Sequence, residues 1–159
     1  MRDYCPEDFD ALNALYQRSK GDEFRFEKGW PDRFPIIPLS QDSDRLDMFN
    51  DSTALVVDVD TTGLAGVIYW QHSHIVGLMV RPEFRGRGIG RALMTAAFAR
   101  MAGTVTLDVV ASNVAAIRLY ESLGFQRVDQ REGRYQGVPV TMSMMRRGPR
   151  ERVQGLSPV

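Results

Sequence analysis

This chain of 159 residues is short of several things, and each shortage excludes something. Cys5 is the only cysteine, so no intrachain disulfide can form; a reducing compartment suits it, and a lone thiol beside Pro6 reads as incidental rather than nucleophilic. No apolar run approaches the ~20 residues that a bilayer-crossing helix needs, and the polar, acidic start lacks the basic-then-apolar layout of a signal peptide. A cytoplasmic protein without a membrane partner is expected. Repeats and low-complexity segments are missing too. Net charge is +0, yet it is unevenly spread: residues 1–60 hold 7 Lys/Arg against 14 Asp/Glu, and residues 61–159 hold 13 against 6. The basic half invites a nucleic-acid reading. Its arginines, however, gather around one glycine turn and are not interleaved with aromatics along a strand, so a compact polyphosphate ligand explains them better.

What the chain does have is an ordinary globular composition, 43% hydrophobic and 25% charged, and enough length to bury one core. One stretch organises the rest: Leu78-Met79-Val80-Arg81-Pro82-Glu83-Phe84-Arg85-Gly86-Arg87-Gly88-Ile89-Gly90. It reads as an apolar strand, a proline stop, and an Arg/Gly turn entering a helix. Glycines at alternate positions let the backbone bend so that successive N–H groups converge, and the helix start adds unsatisfied N–H groups and the positive end of its dipole. Arg85, Arg87 and Arg91 add formal charge. The loop is neither a P-loop, which needs a closing Lys-Ser or Lys-Thr, nor a dinucleotide fingerprint, because its spacing is G-x-G-x-G.

Around that stretch, Pro6-Glu7-Asp8 opens a helix through about Arg18, with Phe9, Leu12 and Leu15 or Tyr16 at helical spacing. Gly21 to Ser40 is irregular but rich in Phe24, Phe26, Trp30, Phe34, Ile36 and Ile37, too apolar for a linker. Asp42 or Ser43 caps a short helix to Phe49, and a hairpin follows: Ala54 to Val59, a turn at Asp60 to Gly63, and Leu64 to Gln71. After a turn at His72 to His74, Ile75 to Val80 is the central strand. The helix after the glycine turn places Ile89, Leu93, Ala96, Ala97 and Met101 on one face and ends by Gly103. Thr104 to Val110 is the next strand, and Ser112 or Asn113 caps a helix stopping at Gly124. Phe125 to Arg131 and Val138 to Met145 close the sheet around a Gly133 to Gly137 connection. Residues 1–146 are expected to form one domain, and 147–159 a flexible tail.

Arg85, Gly88 and Gly90 match the pattern Arg/Gln-x-x-Gly-x-Gly/Ala, and Asn113 through Tyr120 to Phe125 supplies a second motif at the expected distance. With both, the sequence resembles the GNAT superfamily of acyl-CoA-dependent N-acetyltransferases over about Ile75 to Phe125. The resemblance implies a mixed α/β fold, with a largely antiparallel sheet, a splayed strand pair and helices on both faces. It implies acetyl-CoA as donor, with its pyrophosphate on backbone N–H groups from Arg85 through Gly86, Arg87, Gly88, Ile89 and Gly90 to Arg91. Its pantetheine arm would lie along Leu78, Met79 and Val80, with a bulge freeing an N–H near Met79 or Val80. Asn113 would bind the arm and Tyr120 would protonate the departing thiolate; the two lie seven residues apart, so both can face one ligand, and Asn113 can do this while also capping its helix. Gly77 suits either a bulge or close packing.

The acceptor expected from the resemblance is a small amine or the amino terminus of a peptide, attacked directly in a ternary complex; no metal is expected, and a homodimer is possible. The aromatics of 21–40 would either line the acceptor site or roof the sheet. Some relatives carry a strand glutamate as base where this chain has Ile75, and none of His72, His74, Glu27, Asp108 or Tyr135 is singled out in its place. That missing glutamate leaves a rival from another class, a silent acyl-CoA-binding regulatory module, against which Tyr120 argues.

Overall fold

The computed structural model describes residues 1–59, 61 and 63–149. Seven strands form one sheet in the order β1-β2-β3-β4-β5-β7-β6. They are β1 (Arg2–Asp3), β2 (Thr53–Asp58), β3 (Leu64–Gln71), β4 (His74–Val80), β5 (Val105–Val110), β6 (Gln126–Tyr135) and β7 (Val138–Arg147). Every neighbouring pair is antiparallel except β4 and β5. The helices are α1 (Phe9–Ser19), α2 (Ser43–Asn50), α3 (Ile89–Phe98) and α4 (Val114–Ser122).

Strand alternation decides which helix covers which face. Ile68 and Trp70 of β3 face α3 and α4, packing with Leu93, Met94, Ile117 and Tyr120. Val67 and Tyr69 point the other way, against Leu12, Leu15 and Tyr16 of α1 and Phe49 of α2. With helices on both faces, β3 is buried along nearly its whole length. This is why it reads as a continuous apolar run instead of an alternating one.

The parallel pair is short. β4 meets β5 only at His74↔Thr106 and Ile75↔Leu107, after which the two strands part. A bulge in β4 accompanies the parting, because Tyr69 pairs with Gly77 while Trp70 pairs with Ile75, leaving Val76 unmatched. The bulge thus lies a few residues before Met79 and Val80, the two residues near which a freed N–H is expected. Both readings of Gly77 hold at once: it adjoins the bulge, and a Cβ there would stand 2.4 Å from the Tyr69 ring.

Several boundaries differ from the sequence reading, among them the end of β7, which runs on to Arg147 instead of stopping at Met145. Helix α3 stops at Phe98, where bonds from Arg100 N to Ala97 O and Met101 N to Phe98 O tighten the final turn; Met101 still packs on the core from beyond the helix. Gly133 lies within β6, not in a connection: it pairs with Val140, and a Cβ there would stand 2.8 Å from the Met142 side chain, which suits glycine. The β6–β7 turn is instead Gln136-Gly137, both at positive φ, as a tight two-residue hairpin requires. The strand β4 begins at His74, leaving His72-Ser73 as the turn. Of the expected Asp60 to Gly63 turn, Asp60 and Thr62 lie outside the described residues, as do residues 150–159 of the expected tail.

Candidate active site

The parting of β4 from β5 leaves strand edge groups without a strand partner. Arg81 N bonds to Ala65 O on β3, so alternation turns the N–H and C=O of Val80 and Leu78 toward the gap. The Val80 carbonyl accepts a bond from Arg85 Nε at 3.0 Å on that side. Of the two N–H groups expected near the bulge, that of Val80 therefore faces the gap and that of Met79 faces β3.

Below this edge lies a cavity of about 500 Å³, lined by Leu78, Met79, Val80, Arg85, Gly86, Gly88, Ile89, Gly90, Arg91, Asn113 and Tyr120. Every sequence-predicted site residue is there except Arg87, whose guanidinium instead stands 5.3 Å from the Phe84 ring. Gly86 and Gly88 have φ of +73° and +80°, and a Cβ on either would touch nothing within 4 Å. Packing does not require these glycines. The left-handed backbone requires them, and they leave space in front of the helix N–H groups. Helix α3 has Gly88 as its N-cap and no side-chain cap, so its first N–H groups are left for something else. Helix α4 contrasts with it, since Asn113 Oδ1 accepts from Ala116 N at 3.4 Å.

Tyr120 lines this cavity and also a second one of about 620 Å³ on the far side of the gap. Burial, and after it the Glu23 carboxylate, hold its phenol well above the usual tyrosine range. It therefore stays protonated and is a hydrogen-bond donor throughout the physiological range.

The second cavity takes its walls from many elements: Lys20, Glu23 and Phe24 before α2, Arg45 and Met48 on α2, Gln71, His74 and Val76, Asp108, and the β6–β7 hairpin through Arg131, Tyr135, Val140 and Met142. Of the groups considered as a base, His74, Asp108 and Tyr135 line it; His72 and Glu27 line neither cavity. His74 Nδ1 is 2.9 Å from Thr106 Oγ1, and Asp108 is ion-paired with Arg131. Asp8 and Glu7 raise the Cys5 thiol, the opposite of what a nucleophile needs. The aromatics of 21–40 do not act as one group. Phe24 lines the second cavity and exposed Phe26 the first, whereas Phe34 stacks on Phe24 at 4.8 Å as core and Trp30 donates to Gly21 O.

Sequence reasoning missed Glu23, which lines both cavities, and Asp22, whose carboxylate is 2.5 Å from Arg85 Nη1. A charged pair inside an aromatic loop was the available signal; its partner 63 residues away was not.

The model of the acetyltransferase (GNAT) family matches residues 11–125, and the chain belongs to that family. Over 76 residues it is 45% identical to N-alpha-acetyltransferase RimI of Mycobacterium tuberculosis, covering 46% of each chain. Over 92 residues it is 41% identical to streptothricin acetyltransferase of Streptomyces lavendulae, covering 54% of this chain and 49% of that one. The matches thus span about half the length of these relatives. The GNAT superfamily phosphinothricin acetyltransferase of Sinorhizobium meliloti, solved in complex with AcCoA, has the same fold at a TM-score of 0.68 and 18% identity, over 99% of this chain and 91% of that one. Among the described residues, no helix is long and apolar enough to cross a membrane.

Proposed function

We propose that residues 1–147, one more than expected because Arg147 ends β7 opposite Val105, form one N-acetyltransferase domain that moves an acetyl group from acetyl-CoA to a primary amine by direct attack in a ternary complex. The observation that carries this reading is that two cavities meet at the β4–β5 gap with Tyr120 on the wall of both. Donor and acceptor can then approach from opposite sides of one reacting centre, which is what a single displacement without a covalent enzyme intermediate needs.

The residues fit the donor. Uncapped N–H groups at the start of α3, with Arg85 and Arg91 beside them, suit a pyrophosphate; Gly86 and Gly88 leave room for it. The Val80 and Leu78 edge groups suit the amides of a pantetheine arm laid down as an extra strand. The Val80 N–H is the candidate donor to the thioester oxygen. Tyr120 would hydrogen-bond the sulfur as charge develops. Because its phenol is held above a thiol's pKa of about 8.5, the role is stabilisation of a thiolate rather than complete proton transfer. No metal enters this reading, and a cytoplasmic location and a homodimer remain compatible with it.

The second cavity is the acceptor side. Its flanks, Phe24 on one hand and the β6–β7 hairpin on the other, suit either a small amine or the first residue of a peptide, in keeping with relatives named for both. The test is acetyl-CoA binding by calorimetry, followed by thiol release with a free-amine peptide and with small aliphatic amines. Release with either class supports a transferase and chooses its acceptor. Donor binding with no release from any amine supports the silent module.

A further inference from the structure

The second cavity already holds an ammonium. Lys20 Nζ stands 2.8 Å from a Glu23 carboxylate oxygen and 5.9 Å from the ring centroids of both Phe24 and Tyr135. Its side chain is only 12% exposed, although lysine is seldom buried so far without a partner. Confining so flexible a side chain costs rotamer entropy, which a carboxylate and two ring faces at about the 6 Å limit can offset.

The other charges of this cavity are held differently. Asp108 and Glu132 are paired with Arg131 and Arg134, and Arg45 is paired with Asp42 and lies 4.8 Å from the Tyr135 ring. Among the carboxylates lining the cavity, Glu23 alone is paired with a lysine. A guanidinium grips a carboxylate with a rigid fork, whereas an ammonium on a four-carbon stem is a point charge that can swing away. Glu23 is also the one carboxylate that lines both cavities, and Asp22 next to it is tied to Arg85 of the glycine turn.

We propose that Glu23, Phe24 and Tyr135 form a box for a primary ammonium, that the acceptor's protonated amine docks in this box and gives up one proton to solvent before its neutral form attacks, and that the Lys20 ammonium fills the box between turnovers. The assignment rests on reading the second cavity as the acceptor side. Exchange of one ammonium for another leaves Glu23 paired in both states, so neither state leaves a half-buried carboxylate uncompensated. It also sets specificity. A cationic primary amine satisfies the box, and an uncharged alcohol of the same shape does not.

The probe is n-butylammonium, titrated against the full chain with coenzyme A present and followed through the Tyr135 ring resonances by NMR. Lys20→Met should tighten binding by roughly fivefold, since it removes the internal competitor, and Glu23→Gln should weaken it by ~10-fold or more, the loss expected for a charge-assisted bond. n-Butanol should leave the ring resonances unmoved. Unchanged or weaker binding in Lys20→Met, or unchanged binding in Glu23→Gln, overturns the box, and so does an equal response to n-butanol. Coenzyme A affinity should stay within about twofold in Lys20→Met, whose side chain lines the second cavity and not the first. Failure of wild-type protein to bind coenzyme A would strike the donor reading instead, and is distinguishable from failure of the box.

Discussion

The two cavities share Leu78, Asn113, Ala116, Tyr120 and Glu23 at the β4–β5 gap but are built by opposite means. The donor side is built around one continuous stretch, β4 through the first turn of α3, with conformations fixed by two left-handed glycines, and is completed by side chains from residues 19–26 and from α4 and its cap. The acceptor side is side chains brought from the segment before α2, from α2 itself, from both parting strands and from the closing hairpin. A backbone site tolerates change in most side chains and is ruined by a Cβ in the wrong place. A side-chain site can be retuned one residue at a time. Within one family, such a contrast lets the donor stay constant while acceptors vary.

The harshest way to break the comparison is Gly88→Asp. Aspartate tolerates the left-handed backbone better than most residues, and a Cβ at Gly88 touches nothing within 4 Å, so the fold should survive with a small shift in Tm. Its carboxylate, however, would sit before the α3 N–H groups where the pyrophosphate is proposed. Acetyl-CoA affinity should fall by ~100-fold or more, since a like charge replaces a charge-assisted contact. Calorimetry with a melting curve alongside decides it: unchanged affinity in a folded variant would remove the anion site.

Tyr120→Phe should have the next largest effect, of another kind. A hydrogen bond made to a developing thiolate is worth roughly 10²-fold in kcat, and its loss should leave donor affinity within about twofold. The pH profile sharpens this. Burial raises the Tyr120 phenol, so its neutral form persists as pH rises, and its ionisation should not lower the wild-type rate between about pH 8 and pH 10. A rate that falls through that range in wild type but not in Tyr120→Phe would mean the phenol titrates there and is not desolvated. Equal losses of kcat and donor affinity would place the tyrosine in binding.

The same division explains what could be read in advance. Gly86, Gly88 and Gly90 declare a bend and a helix start through local geometry alone, and Asn113 and Tyr120 declare a shared helix face through spacing; all five line the donor cavity. The central strand and the helix after it were legible for that reason, whereas the largely antiparallel sheet followed from the family resemblance. Glu23 was not, because its importance comes from meeting Tyr120 and Tyr135, residues placed near it only by the finished sheet. The bulge at Val76 and the strand position of Gly133 were hidden likewise: each glycine's neighbour, Tyr69 or Met142, is across a strand pair, and a glycine in a short window looks the same in a turn as under a side chain.

Asn113 sits where the two modes of construction meet, and its variants should give the smallest effects. The side-chain oxygen caps α4 through Ala116 N, while the residue also lines both cavities. Asn113→Ala loses both roles and should cost ~1 kcal/mol of stability, the usual worth of a side-chain cap, together with a few-fold rise in donor KM. Asn113→Ser keeps a capping oxygen but no amide to reach a pantetheine arm, so urea unfolding should return to the wild-type midpoint while donor KM stays raised. If serine restores both, the amide does nothing beyond starting the helix.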